Sequence, residues 1–189
     1  MPEEKIFIQP AELLQDSFRL GVKILESGFL PDYIVAIWRG GTPIGIAVQE
    51  LLDYAGVETD HIAIRTSYYT GINETSDKVQ VHGLGYLIDK INHENRLLIV
   101  DDVFDTGKSI AAVIDELEHR ARRNLPHDIR VATPWYKPSK NVTGREPDYF
   151  IHKTNRWLVF PHELQGLSVE EVRAGKPEIA DILAPVVRP

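Results

Sequence analysis

The chain has 189 residues, enough for one sizeable hydrophobic core and short for two domains of ordinary size. Hydrophobic residues make up 43% and charged residues 26%, the balance of a soluble globular protein, and the absence of cysteine excludes disulfides, thiolate metal sites and cysteine nucleophiles. With 21 basic against 28 acidic residues the net charge is −7, which argues against a nucleic-acid partner. No apolar run approaches the roughly 20 residues of a membrane span. The opening MPEEKIFIQP lacks the basic-then-apolar order of a signal peptide, so a cytoplasmic location is expected.

Residues 10–27 predict an amphipathic helix, with Leu14, Phe18, Gly21, Val22 and Leu25 at helical spacing and Gly28 just past its end. The run YIVAIW, residues 33–38, predicts a strand buried on both faces. Gly40 and Gly41 follow, and Thr42 before Pro43 predicts an N-cap for a helix reaching about Tyr54. A further strand is expected over 60–66. The polar stretch 67–85 has no sustained period, which marks a mobile loop. RLLIV, residues 96–100, is another buried-strand pattern, and 108–123 is a helix pattern. Strand-like runs recur at 129–135, 149–152 and 157–160. Ser168 with Glu171 forms a capping-box signature, ahead of a short helix near 177–183.

Strands alternating with helices predict an α/β fold over residues 1–189, a single domain with a twisted, mostly parallel sheet flanked by helices. Such sheets bind ligands beyond the carboxyl ends of their strands. Two segments, 39–42 and 101–109, directly follow buried-strand patterns.

The second segment carries the chemistry. Residues 97–110 read LLIVDDVFDTGKSI. The stretch from Asp105 to Ser109 offers hydroxyls, small residues and backbone amides at a helix N-terminus, an anion site by geometry and by dipole. A triphosphate-binding P-loop would need glycine five positions before Gly107, where this chain has Asp102, so that reading is rejected. Adjacent ionised carboxylates accept hydrogen bonds and suit a polyhydroxylated ligand or a cation. A sugar with vicinal hydroxyls and a terminal phosphate satisfies both halves. Asp101 and Asp102 would then take the 2′- and 3′-hydroxyls, and Thr106, Gly107, Lys108 and Ser109 the 5′-phosphate.

The run VDDVFDTGKS resembles the signature of the type I phosphoribosyltransferases, which use 5-phosphoribosyl 1-diphosphate. It is most similar to the hypoxanthine–guanine–xanthine (6-oxopurine) branch, in which an Asp stands directly before Thr-Gly, here Asp105. The resemblance implies further roles. Arg39, Gly40 and Gly41 match the loop that contacts diphosphate, with a cis peptide at Arg39–Gly40. Ser67 and Tyr68 match the start of the mobile loop. Lys137 matches the lysine that reads the purine 6-oxygen, and Trp157 the aromatic that stacks on the base. Part of 137–189 would form a small hood over the base. Mg2+ is the implied cofactor, with Asp101, Asp102 and Glu163 as its candidate ligands, and the implied assembly is a homodimer or homotetramer. Two positions depart from the pattern. The first acid of the signature is more often Glu, and His162 stands where similar bacterial xanthine–guanine enzymes have a second tryptophan. His162 is therefore a candidate contact for the base.

On this resemblance Asp105 is the candidate catalytic group, accepting the purine N7 proton as the glycosidic bond forms. Each residue also has a plainer reading: Asp105 as a helix N-cap, Arg39-Gly40-Gly41 as a strand-to-helix turn, Lys137 as a solvated lysine, Trp157 as core. The other histidines show no metal spacing, and Asn141-Val142-Thr143 fits a glycosylation sequon. Competing functions are a phosphoribosyltransferase-fold sensor of the donor or of a nucleotide, and an enzyme for another nucleobase.

Overall fold

The computed structural model describes residues 5–68 and 79–186. The chain resolves into two compact units, one spanning Leu14–Asn155, the other joining residues up to Leu13 with those from Arg156 onward.

The larger unit is built on a sheet of seven strands: β2 (Tyr33–Trp38), β3 (Asp60–Tyr68), β4 (Val79–His82), β5 (Arg96–Val100), β6 (Val103–Phe104), β7 (Asp128–Tyr136) and β8 (Tyr149–Lys153). Their order is β4-β3-β2-β5-β7-β6, with β8 also on β7. Every pairing is parallel except β3 with β4. This is the expected mostly parallel α/β architecture. Its helices are α1 (Pro10–Glu26, of which this unit takes the part from Leu14), α2 (Gly41–Tyr54), α3 (Gly85–Ile88) and α4 (Lys108–Ala121).

Alternation along the central strands sends successive side chains to opposite faces. Val35, Ile37, Leu97, Ile99 and Val131 meet Ile110, Val113 and Leu117 of α4. The alternate set, including Ile34, Ala36, Leu98 and Val100, is equally buried, and α2 packs on β2, β5 and β7. The continuous apolar runs follow from burial on both faces.

Four expectations are corrected. On α1 the inward face is Asp16, Ser17, Leu20, Gly21 and Ile24, while Leu14, Phe18 and Val22 are 53, 38 and 42% exposed. The apolar count picked the wrong stripe because the true one contains two polar residues. Buried Asp16 is compensated by His152 Nε2 at 2.6 Å and by Arg19 at 2.7 Å. Helix α2 begins at Gly41 with Gly40 as N-cap, so Thr42 lies inside the first turn and its buried hydroxyl oxygen makes no hydrogen bond. The stretch 67–85 is not irregular throughout: β3 continues to Tyr68, β4 returns antiparallel from Val79, and Gly85 opens α3. Residues 69–78, the heart of the expected mobile loop, lie outside the described residues. Helix α4 ends at Ala121, and residues 122–124 form a 3-10 turn.

The smaller unit holds a two-stranded parallel sheet of β1 (Lys5–Phe7) and β9 (Trp157–Val159), with Phe7 opposite Val159. Strand β1 was not anticipated. Two short helices follow, α5 (Val169–Gly175) and α6 (Pro177–Leu183). The predicted capping box is formed, with Ser168 accepting from the Glu171 N–H and Glu171 accepting from the Ser168 N–H. Among the described residues no helix is long and apolar enough to cross a membrane.

Candidate active site

Strands β2 and β5 are parallel neighbours, so the loops leaving their carboxyl ends emerge side by side. The Asp101 N–H donates to the Ala132 carbonyl at 3.2 Å, which keeps the chain alongside β7 for one more residue. The Asp102 N–H donates to Asp101 Oδ1 at 3.0 Å. Burial, and then the adjacent Asp102 carboxylate, push the Asp101 carboxyl well above the usual carboxylate range. The Gly40-Gly41 pair lies directly against this loop. A Cβ on Gly40 would overlap the Asp102 carboxylate, and one on Gly41 would stand 2.8 Å from the Asp101 Cα and against the Val100 carbonyl. Glycine is required here by contact with the acids. Arg39 is exposed, and the cis peptide of this segment is Trp38–Arg39, one bond before the expected Arg39–Gly40. The chain enters helical geometry at Gly40, so its change of direction falls at the end of β2.

Strand β6, only two residues long, explains the next arrangement. Val103 pairs with Trp135 and Phe104 with Tyr136. Asp105 and Lys137 are the residues that follow in this register. The Lys137 N–H donates to the Phe104 carbonyl at 2.9 Å, and Lys137 Nζ reaches Asp105 Oδ2 at 2.9 Å. Lys137 is buried, whereas the Asp105 side chain is 37% exposed. Asp105 is therefore not the helix cap, and Lys137 is not a solvated lysine. The N-cap of α4 is Gly107, in the left-handed region at φ 80°. A side chain there would meet Thr143 Oγ1 at 2.5 Å and the Phe104 ring at 2.8 Å. Phe104 and Tyr136 pack edge to face beneath the loop.

Tyr68, Asp101, Asp102, Asp105, Thr106, Gly107 and Ser109 line one cleft of about 170 Å³ together with Val103, Phe104 and Ile110. A wider cavity of about 420 Å³ in the smaller unit is lined by apolar side chains with Ser168 and Arg173, and holds no carboxylate. Convergence of polar groups, not size, identifies the site. The sequence marks residues 141–143 as a glycosylation sequon and gives no sign that they support this loop. The Val142 N–H donates to the Thr106 carbonyl at 3.1 Å, and the Asn141 amide is spent on the Arg145 carbonyl at 2.8 Å and the Tyr136 hydroxyl at 3.3 Å. The Asn-Val-Thr pattern is a local turn, with the Thr143 N–H and hydroxyl both donating to Asn141 Oδ1.

Trp157, His162 and Glu163 belong to the smaller unit. Trp157 is half-exposed at the start of β9, with Lys5 Nζ 5.9 Å from its ring centre. His162 is exposed and stacks on Phe160 at 5.8 Å. Glu163 Oε2 accepts from the Phe160 N–H at 3.0 Å. Ser67 Oγ lies 3.2 Å from His82 Nε2, across the β3–β4 pair.

Chemically, the larger unit combines a carboxylate pair, a helix N-terminus suited to an anion, and a cation–carboxylate pair beside both. The family model described as phosphoribosyl transferase domain matches residues 7–169. The chain is 27% identical over 148 residues to the hypoxanthine-guanine phosphoribosyltransferase of Lactococcus lactis subsp. lactis (strain IL1403), covering 77% of this chain and 74% of that protein. It is 35% identical over 113 residues to the hypoxanthine/guanine phosphoribosyltransferase of Methanocella arvoryzae, covering 57% and 53%. The crystal structure of a purine phosphoribosyltransferase from Pyrococcus horikoshii superposes with a TM-score of 0.69 at 26% identity, over 87% of this chain and 97% of that one.

Proposed function

The chain belongs to the phosphoribosyltransferase family, and from that premise we propose that it transfers the 5-phosphoribosyl group from 5-phosphoribosyl 1-diphosphate to a 6-oxopurine, releasing diphosphate and a nucleoside monophosphate. The observation that carries the choice of base is the Lys137–Asp105 pair at 2.9 Å, beside the proposed sugar-phosphate loop. One edge of a 6-oxopurine presents a carbonyl oxygen next to the N7 position. A cation and a carboxylate side by side complement that edge, Lys137 donating to the oxygen and Asp105 accepting the N7 proton. Adenine would set an amino donor against the Lys137 donor, a buried mismatch that rejects a ligand strongly. The relatives named for hypoxanthine and guanine support the same class of base.

In this reading Asp101 and Asp102 hold the ribose hydroxyls, and the backbone from Thr106 to Ser109, at the head of α4, holds the 5′-phosphate. The Gly40 and Gly41 amides, with Arg39, hold the diphosphate. Burial and the adjacent Asp102 raise the Asp101 carboxyl, so the two acids form a donor set short of positive charge, which fits Mg2+ held by Asp101 and Asp102, with Glu163 as a further candidate. When bound, the ion supplies charge neutralisation for the leaving diphosphate. Positive charge developing on the sugar is met by the nearby carboxylates. Trp157 offers a stacking face and His162 a contact for the purine, and Tyr68 closes the sugar side against water. The donor and the free bases are cytoplasmic metabolites, and the same reading puts the enzyme there.

The test is diphosphate release with hypoxanthine, guanine, xanthine, adenine and uracil, each with donor and Mg2+. Turnover is expected with one or more of the first three and not with the last two. Turnover of adenine, or donor binding with no turnover of any base, overturns the proposal, the latter in favour of a sensor.

A further inference from the structure

We infer that Lys176 is a positioning residue for the base: its buried ammonium fastens the turn at residues 160–163 from behind, so that the C-terminal helices set base affinity. This rests on the reading that His162, in this turn, and Trp157, three residues before it, face the purine.

Lys176 is only 2% exposed, and its Nζ donates to the Phe160 carbonyl at 2.6 Å and the Pro161 carbonyl at 3.0 Å. The same turn is closed by the Glu163 N–H donating to the Phe160 carbonyl at 3.0 Å and the Phe160 N–H donating to Glu163 Oε2 at 3.0 Å. The Phe160 carbonyl thus accepts from both sides, and its ring carries the stacked His162. Lys176 is itself held in place. It joins α5 to α6, its N–H donating to the Val172 carbonyl at 2.8 Å and its carbonyl accepting from the Ile179 N–H at 3.2 Å. The preceding Gly175 packs on the ring of Phe7, whose strand pairs with β9, the strand that carries Trp157.

A lysine so deeply buried is an expensive way to fill space. Burial pushes its pKa below the usual lysine value, with Glu163 and Glu178 opposing the shift. A methionine would occupy the same volume without that cost. The feature a methionine lacks is the pair of charge-assisted hydrogen bonds to consecutive carbonyls, which orient the peptide planes on either side of Pro161. Residues 164–189 carry none of the motif residues assigned to the substrates, and this gives their helices a task.

The protein is compared with Lys176→Met, which keeps the stem and removes the amine, and Lys176→Arg, which keeps the cation. Amide hydrogen exchange over 158–165 and steady-state constants for base and donor are measured for each. In Lys176→Met, exchange at Glu163 is expected to quicken and the KM for the base to rise on the order of tenfold, the loss of charge-assisted hydrogen bonds. The KM for the donor stays unchanged, and Lys176→Arg recovers part of the loss. Should the Met variant not fold, Lys176→Gln, which keeps an uncharged N–H donor group, is read in the same way. Unchanged exchange overturns the fastening, and quickened exchange with an unchanged base KM overturns the role in base binding. Equal loss of donor affinity overturns it too. Absence of purine turnover in the wild type sinks the proposed function instead, while the exchange result still decides the fastening.

Discussion

Asp105→Asn separates the two things the Lys137–Asp105 pair is asked to do. The variant keeps the shape and one acceptor oxygen but removes the charge opposite a buried ammonium. Breaking a fully buried pair costs about 3–5 kcal/mol and an exposed one about 0–1 kcal/mol. Here one side chain is 7% and the other 37% exposed, so an intermediate loss of about 1–2 kcal/mol is expected. In a chain of this size each kcal/mol moves the melting temperature by about 2–4 °C, which gives a fall of about 2–8 °C. Positioned proton acceptance is worth about 10²–10⁴ in rate, or about 3–5 kcal/mol of barrier. Assayed well below its melting temperature, the variant should therefore lose far more turnover than stability explains, with the KM for the donor unchanged. Thermal melts and diphosphate release measured on the same preparation decide it. A melting shift of the expected size with turnover reduced less than about tenfold would refute a catalytic role and leave the pair structural. Parallel loss of donor binding would place Asp105 on the sugar.

Lys137→Ala should raise the KM for the base much more than that for the donor, and an unchanged preference among bases would remove Lys137 from the site. Gly40→Ala drives a methyl group into the Asp102 carboxylate, so donor binding measured by calorimetry with Mg2+ should weaken by about 1–3 kcal/mol. Unaltered affinity would show that the abutting loops do not share a ligand. In the smaller unit, the hydrogen bond from Lys5, and then the Ser168 N–H, hold the Glu171 carboxyl below its usual value of 4.5. Its stabilisation is thus present above about pH 4.5 and is lost as the pH falls through the lower, folded-state value. Glu171→Gln should flatten that part of the acid-unfolding curve, and an identical curve would dismiss the cap and ion pair as contributors.

Much of this site was legible because its signals are local. Ten consecutive residues around Asp105 placed two acids, a turn suited to an anion and a helix start in one loop, and local chemistry of that kind is encoded by neighbours in the chain. The capping box at Ser168 and Glu171 was readable for the same reason, because its hydrogen bonds span three residues. Buried strands announced themselves by continuous apolar runs. The inward face of α1 was not legible. Asp16 is satisfied there by Arg19 and by His152, and His152 lies 136 residues away.

The sequence by itself therefore determined the strand–helix alternation, the loop proposed to hold the sugar phosphate and the family resemblance, since each rests on periodicity or on contiguous residues. Only the tertiary structure decided that Asp105 and Lys137, 32 residues apart, face one another. That outcome depends on a two-residue strand too short to leave a periodic trace, yet its register with β7 places the two side chains in line. The tertiary structure likewise decided what a side chain at Gly40 would meet, because the carboxylate beside it comes from the loop after a different strand. Pairings across a sheet are set by geometry summed over the whole fold, which a local pattern cannot contain.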